Sequence, residues 1–206
     1  MKKKTLSIAA FLLTGTLLFA GCGQTADGNS NANASGQETS VTGQVSADTE
    51  NSSDNADADL SFFSDMNTTD LDGNKVDSSI FSDNKVTLVN VWNVGCTPCV
   101  NEIPELEKLN NEYKEKGGAV VGLYNDFGAG IPDDEMNQIK EILKNTSYTQ
   151  IRMDGTLATN ETLLNLMAFP TTYVVNSDGT IIDTVTGSRD YDEWKTVLES
   201  YLAQEE

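Results

Sequence analysis

The chain has 206 residues, 32 of them acidic and 13 basic, for a formal charge of −19, and it contains no histidine. Such an acidic balance sets the chain against nucleic acid and anionic membrane patches, both of which would repel it. Without histidine, Ser-His-Asp and Cys-His catalysis, most zinc and copper sites and axial haem ligation by imidazole are closed to it, so its chemistry must rest on cysteine, carboxylate, tyrosine, lysine or backbone.

In chain order, Lys2 to Lys4 precede an uncharged, largely apolar run over residues 6–20, and Gly21-Cys22 follows. That is the order of an export signal, and the run falls short of the ~20 apolar residues of a spanning helix, so residues 1–21 are expected to be a signal peptide. Leu18-Phe19-Ala20-Gly21-Cys22 resembles a bacterial lipoprotein box, with Phe19 where an aliphatic residue is usual. The resemblance implies cleavage before Cys22 and lipidation of that residue; the alternative is a cleaved secretory peptide that leaves Cys22 as a free thiol. Residues 23–59 hold no Lys, Arg or aromatic residue and only two Val. They cannot bury enough to offset their ordering entropy, so residues 22–59 are expected to be a lipidated Cys plus an acidic, polar tether with a reach of about 30 to 35 Å. Residues 60–206 remain as one domain of ordinary size.

Within that domain, Asp72-Gly73 between two short runs predicts a hairpin over residues 68–76, and residues 78–82 a helical turn. Residues 86–92 are β-branched and largely apolar, as a buried central strand is. Past Cys96 the period changes. Val100, Ile103, Leu106, Leu109 and Tyr113 recur at three- and four-residue steps, which predicts an amphipathic helix over about residues 98–116, ended by Gly117-Gly118 and kinked at Pro104. Residues 119–124 form a second buried run, and 133–144 a helix with acids first and lysines last, as the helix dipole prefers. Residues 150–153 are expected as a short strand and 162–167 as a helical segment. Residues 171–175 and 180–186 flank the turn Asn176-Ser177-Asp178-Gly179, and residues 191–202 close the chain as a helix with Trp194, Val197, Leu198 and Tyr201 on one face. The order predicts an α/β fold: one mixed central sheet flanked by helices, with an N-terminal β-hairpin extension.

Cys96 and Cys99 stand where the first long strand gives way to the first long helix. A helix N-terminus carries free N–H groups and roughly half a positive charge, so a thiolate there is stabilised and nucleophilic near neutral pH. The first cysteine can attack a partner's disulfide and the second, one turn inside, can resolve the mixed disulfide. A zinc site would need two further Cys or His ligands that the domain lacks. A structural disulfide closing so small a loop would stabilise little.

The segment Val89-Asn90-Val91-Trp92-Asn93-Val94-Gly95-Cys96-Thr97-Pro98-Cys99, with Phe169-Pro170-Thr171 further on, resembles the thioredoxin superfamily. The opening hairpin, the helix reading Cys99-Val100-Asn101-Glu102-Ile103-Pro104-Glu105-Leu106 and the lipoprotein-like start resemble more narrowly the TlpA/ResA-like thiol-disulfide oxidoreductases. The resemblance implies a thioredoxin-like fold and a membrane-tethered, extracytoplasmic enzyme, with no cofactor beyond the redox-active Cys96-Cys99 pair. Cys96 would be the nucleophile and Cys99 the resolving thiol. Pro170 would be a cis-proline facing the pair, Phe169 would offer backbone to an extended client, and Trp92, Thr97 and Pro98 would border the client. Partners implied are exported proteins with disulfides and a membrane electron donor such as a CcdA-like protein, with the chain a monomer on the outer face of the cell membrane.

Two departures stand out. The buried proton-relay Asp of thioredoxin falls at Asn90, which cannot titrate, and the resemblance passes that part to Glu102; the alternative is a solvated carboxylate on the helix face. Gly95 stands where Trp is common. Other function classes fit less well: the peroxiredoxin motif Pro-x-x-x-Thr/Ser-x-x-Cys finds Val89 and Asn93, and a copper-handling relative would want Cys-x-x-x-Cys and a distal His. A non-catalytic binding lipoprotein on the same fold stays open. Thr97-Pro98 brings no positive charge and the surroundings are acidic, which raises a thiol's pKa, so a reductant of low potential is expected.

Overall fold

The computed structural model describes residues 61–204. The expected signal peptide, Cys22 and the tether lie outside the described residues.

Strands β1 (Asn67–Thr69) and β2 (Lys75–Asp77) pair antiparallel around a turn in which Gly73 takes φ +87°, a conformation only glycine adopts freely. A 3₁₀ turn at Ser78–Phe81 follows, capped by Asp77. Then come β3 (Val86–Trp92), α1 (Thr97–Tyr113), β4 (Gly118–Tyr124), α2 (Asp133–Ile142), β5 (Gln150–Arg152), α3 (Glu161–Leu164), β6 (Thr171–Asn176), β7 (Ile181–Thr186) and α4 (Tyr191–Leu202). The five-stranded sheet has the order β5-β4-β3-β6-β7. β3, β4 and β5 run parallel, while β6 is antiparallel to β3 and β7 to β6. The mixed sheet and the hairpin are as the residue pattern predicts.

β3 is central and buried along its whole length. Val86 and Leu88 point into a cluster with Leu106, Leu109 and Tyr113 of α1 and Trp194 and Leu198 of α4. Val89 and Val91 point the other way, into a cluster with Phe63, Phe81 and Leu163. A strand covered on both faces needs apolar side chains at successive positions, hence its near-continuous apolar reading.

Three helices differ in extent from the predicted ones. α1 starts at Thr97 because Cys96 is its cap, continues unbroken through Pro104 and ends at Tyr113, short of residue 116. α2 ends at Ile142 because Leu143 leaves helical geometry (φ −88°, ψ 4°). α3 is a single turn, not the segment 162–167. Asn165, its C-terminal cap, has already left helical geometry (φ −98°, ψ 14°).

Candidate active site

Cys96 is the last residue before α1, in extended geometry (φ −95°, ψ 92°), and its Sγ accepts the Cys99 N–H at 3.2 Å. Pro98 sits in the first turn, where a missing N–H costs nothing. The two sulfurs are joined in a disulfide. Cys96 is half-buried and Cys99 fully buried, whereas Thr97 and Pro98 are exposed. The arrangement suits unequal roles: an attacking thiol must be reached from outside, a resolving one need not be.

The Phe169–Pro170 peptide, just before β6, is cis. Phe169 packs, together with Cys96 and Val94, against a buried cluster of Trp92, Cys99, Ile103, Tyr124 and Ile139. The proline segment and the disulfide thus share one apolar bed. Pro170 is buried and its carbonyl accepts the Gly187 N–H at 2.9 Å. Phe127, half exposed and in left-handed geometry (φ +56°), sets its ring edge-on to Phe169 at 5.7 Å.

Trp92 requires a correction. Expected to border the client, it is wholly covered, so it cannot touch one. It forms the bed instead, stacked edge-on against Tyr124 at 5.0 Å with its Nε1 donating to Gln150 Oε1 at 3.0 Å. Gln150 reaches it across β4 only because Gly122 lies between them; a Cβ there would stand 2.0 Å from Gln150 Oε1.

Glu102 is not a solvated helix-face residue: it is 2 % exposed. Its Oε1 accepts from Asn90 Nδ2 at 2.8 Å, and its Oε2 accepts from the Arg189 N–H at 3.1 Å and Trp194 Nε1 at 3.2 Å. Burial pushes the carboxyl's pKa up; the three hydrogen bonds and the Arg189 charge oppose it, and the net direction is upward. Asn90, the residue in the thioredoxin aspartate's place, spends its second N–H on Thr172 Oγ1 at 3.0 Å, and its Oδ1 has no hydrogen-bond partner among the described residues.

Arg189 and Trp194 escaped the sequence reading as site residues. Trp194 showed only as part of an apolar helix face, and nothing local marked Arg189 as a main-chain donor. Phe127 likewise carries no local signal. Among the described residues, no group of three or more His, Cys, Asp or Glu side chains is placed to hold a metal ion, and no helix is long and apolar enough to cross a membrane.

Residues 52–199 match the family model described as Redoxin, a match that starts within the segment expected to be tether. The thiol-disulfide oxidoreductase ResA of Bacillus thuringiensis subsp. konkukian is 28 % identical over 137 residues, covering 65 % of this chain and 70 % of that one. The thioredoxin-like protein YneN of Bacillus subtilis is 30 % identical over 115 residues, 56 % of this chain and 64 % of that one. Among solved structures, a thiol:disulfide interchange protein of the thioredoxin family from Chlorobium tepidum superposes with a TM-score of 0.56 at 18 % identity, over 71 % of this chain and 99 % of that one. A thiol:disulfide interchange protein from Bacteroides sp. gives 0.53 at 25 % identity, over 67 % and 86 %. The fold is thioredoxin-like.

Proposed function

Because the chain belongs to the Redoxin family and is a thiol-disulfide oxidoreductase, we propose that it reduces disulfides in exported client proteins while tethered to the outer face of the cell membrane. The observation that carries this reading is the cap geometry: a half-buried Cys96 sulfur at the start of α1, facing the Cys99 N–H, with a buried Cys99 behind it. In the reduced enzyme the Cys96 thiolate attacks one sulfur of the client disulfide, forming a mixed disulfide and releasing the client's other sulfur as a thiolate. Cys99 then gives its proton to Glu102 and its thiolate attacks Cys96 Sγ. That step closes the Cys96–Cys99 disulfide and frees the client's second sulfur, so the client gains two electrons and the enzyme loses two. Glu102 is the acceptor because Asn90 cannot take a proton and Glu102 is the buried carboxylate bonded to it.

The client lies as an extended segment against Phe169, whose backbone the buried cis-Pro170 fixes, and over the exposed Thr97 and Pro98. A membrane dithiol donor, CcdA-like by resemblance, reduces the Cys96–Cys99 disulfide for the next cycle. Lipidation of Cys22 and the tether of residues 22–59 hold the domain within reach of that donor. The local charges favour this electron direction: Thr97-Pro98 brings no cation, and Glu102 and Glu105 offset Arg189 in the groove beside Pro98, so the thiolate is not held as strongly as an oxidase requires.

The deciding experiment is mixed-disulfide trapping in the full chain. Cys99→Ala is expected to accumulate exported proteins disulfide-linked to Cys96, and none should be captured when Cys96 is also replaced by Ser. An absence of adducts would refute the exchange reading. A redox titration giving a potential near about −120 mV, the range of strong oxidants, would refute the direction. Cys22→Ala is expected to release the protein from the membrane fraction.

A further inference from the structure

Glu102 is gripped by a part of the chain remote from the cysteines. Its Oε2 accepts two N–H groups, one from the main chain of Arg189 and one from the Trp194 indole, and both belong to the turn after β7 and the start of α4. Neither donor is free to drift. Asp190 and Glu193 form a reciprocal capping box at the head of α4. The Arg189 guanidinium is tied back to the carbonyls of Thr186 (3.3 Å) and Gly187 (2.9 Å) and lies over the Trp194 ring at 5.3 Å. Trp194 itself is wholly buried. The same turn donates the Gly187 N–H to the Pro170 carbonyl, so one short segment holds both the proline strand and the carboxylate.

We propose that Trp194 and the Arg189 main chain are positioning groups for the redox reaction: their N–H groups fix the Glu102 carboxylate in place, favour its proton-accepting form and make α4 part of the active site. The inference rests on the reading of Glu102 as the proton acceptor for Cys99. All three hydrogen bonds to Glu102 come from donors. Such a set favours the charged carboxylate and opposes the burial that disfavours it. Losing one donor therefore tips the balance towards the protonated acid, which cannot accept the Cys99 proton.

Charged and titratable groups around Glu102 are few. Arg189 lies on the β7–α4 turn, and Glu105 on α1 and Asp190 at the head of α4 line the same groove as Glu102. Tyr148 senses its charge from the β5 side, and Cys99 lies one turn earlier on α1. On β3 the neighbour is Asn90, without charge, so the indole N–H is the one side-chain donor from α4 that a substitution can remove while keeping an aromatic ring.

The test uses the full chain, oxidised, with the Glu102 carboxyl carbon and the Trp194 indole N–H followed by NMR across pH. In the wild type the indole resonance is expected to move with the same midpoint as the Glu102 carboxyl, and in Glu102→Gln to lose that movement. In Trp194→Phe the carboxyl midpoint is expected to move to higher pH. The acid limb of the pH profile for single-turnover reduction of a disulfide peptide by the reduced enzyme should move up in step. An indole that ignores the Glu102 titration, or a carboxyl midpoint unchanged in Trp194→Phe, overturns the inference. Should Trp194→Phe not fold, the wild-type and Glu102→Gln indole titrations still decide it. A carboxyl that moves while the rate profile stays in place supports the clamp and refutes Glu102 as the proton acceptor.

Discussion

Asn90 Nδ2 donates to Glu102 Oε1 at 2.8 Å, joining the central strand to the helix that carries both cysteines. An amide that cannot titrate thus meets a buried acid on the neighbouring helix. Replacing Asn90 by Asp would set two carboxylates at that separation, and like charges so close cannot both ionise near neutral pH. One of them keeps its proton with a raised pKa, and a raised folded-state value means stability present at low pH and lost as pH rises. Asn90→Asp is expected to lose about 1 to 3 kcal/mol relative to wild type at pH 8 and less at pH 5, measured by urea denaturation.

Glu102 alone should leave a weaker signature of the same sign. Its folded-state pKa is raised above the ordinary 4.5 by burial, so the folded protein holds that proton longer than the unfolded chain does. Its contribution is fully present below pH 4.5 and declines as pH rises through the folded value. Glu102→Gln should remove this decline, giving a flatter stability profile from pH 4.5 upward and a loss of client reduction. A wild-type profile no steeper than the variant's would count against the burial argument.

Gly122→Ala tests the bed beneath the disulfide. The added methyl would meet Gln150 Oε1 at 2.0 Å and its Cδ at 2.5 Å, so Gln150 must move and abandon Trp92 Nε1. Overpacking of this kind costs about 1 to 3 kcal/mol. Thermal denaturation should show the loss, accompanied by a change in Trp92 fluorescence.

The N-terminal hairpin is fastened to the domain by Asp154. Its Oδ1 accepts from Thr68 Oγ1 at 2.5 Å and from the Thr69 N–H at 2.8 Å, and its Oδ2 accepts from Thr69 Oγ1. Burial acts to raise its pKa, but these hydrogen bonds and the Arg152 charge outweigh it, and the net direction is below the ordinary 3.8. A depressed value gives stability that is present above pH 3.8 and lost as pH falls through the folded value. Asp154→Ala should cost about 1 to 3 kcal/mol at neutral pH, and faster hydrogen exchange in residues 67–77 should localise the loosening to the hairpin.

Much of the fold was legible in the residue order because its signals are local. The β-branched, near-continuously apolar run of residues 86–92 announces a strand covered on both faces, and Val100, Ile103, Leu106 and Leu109 announce a helix with one buried side. Helix ends were less legible: α3 stops at Leu164 after a single turn, an end that propensity over residues 162–167 does not mark. The residue pattern puts Trp92 on β3 but does not show that it is wholly covered. Strand periodicity says which face a side chain takes but not whether a neighbouring strand and a glycine will cover it.

The sequence by itself determined where the chemistry sits. Two cysteines at a strand-to-helix junction, in a chain without histidine, define a cap sulfur and a partner one turn inside, because spacing and secondary structure are short-range properties. Only the tertiary structure decided what surrounds them. Glu102 is buried and held by donors 12, 87 and 92 residues away in the chain. No local period encodes such a meeting, because it depends on how α4 and the sheet pack against α1.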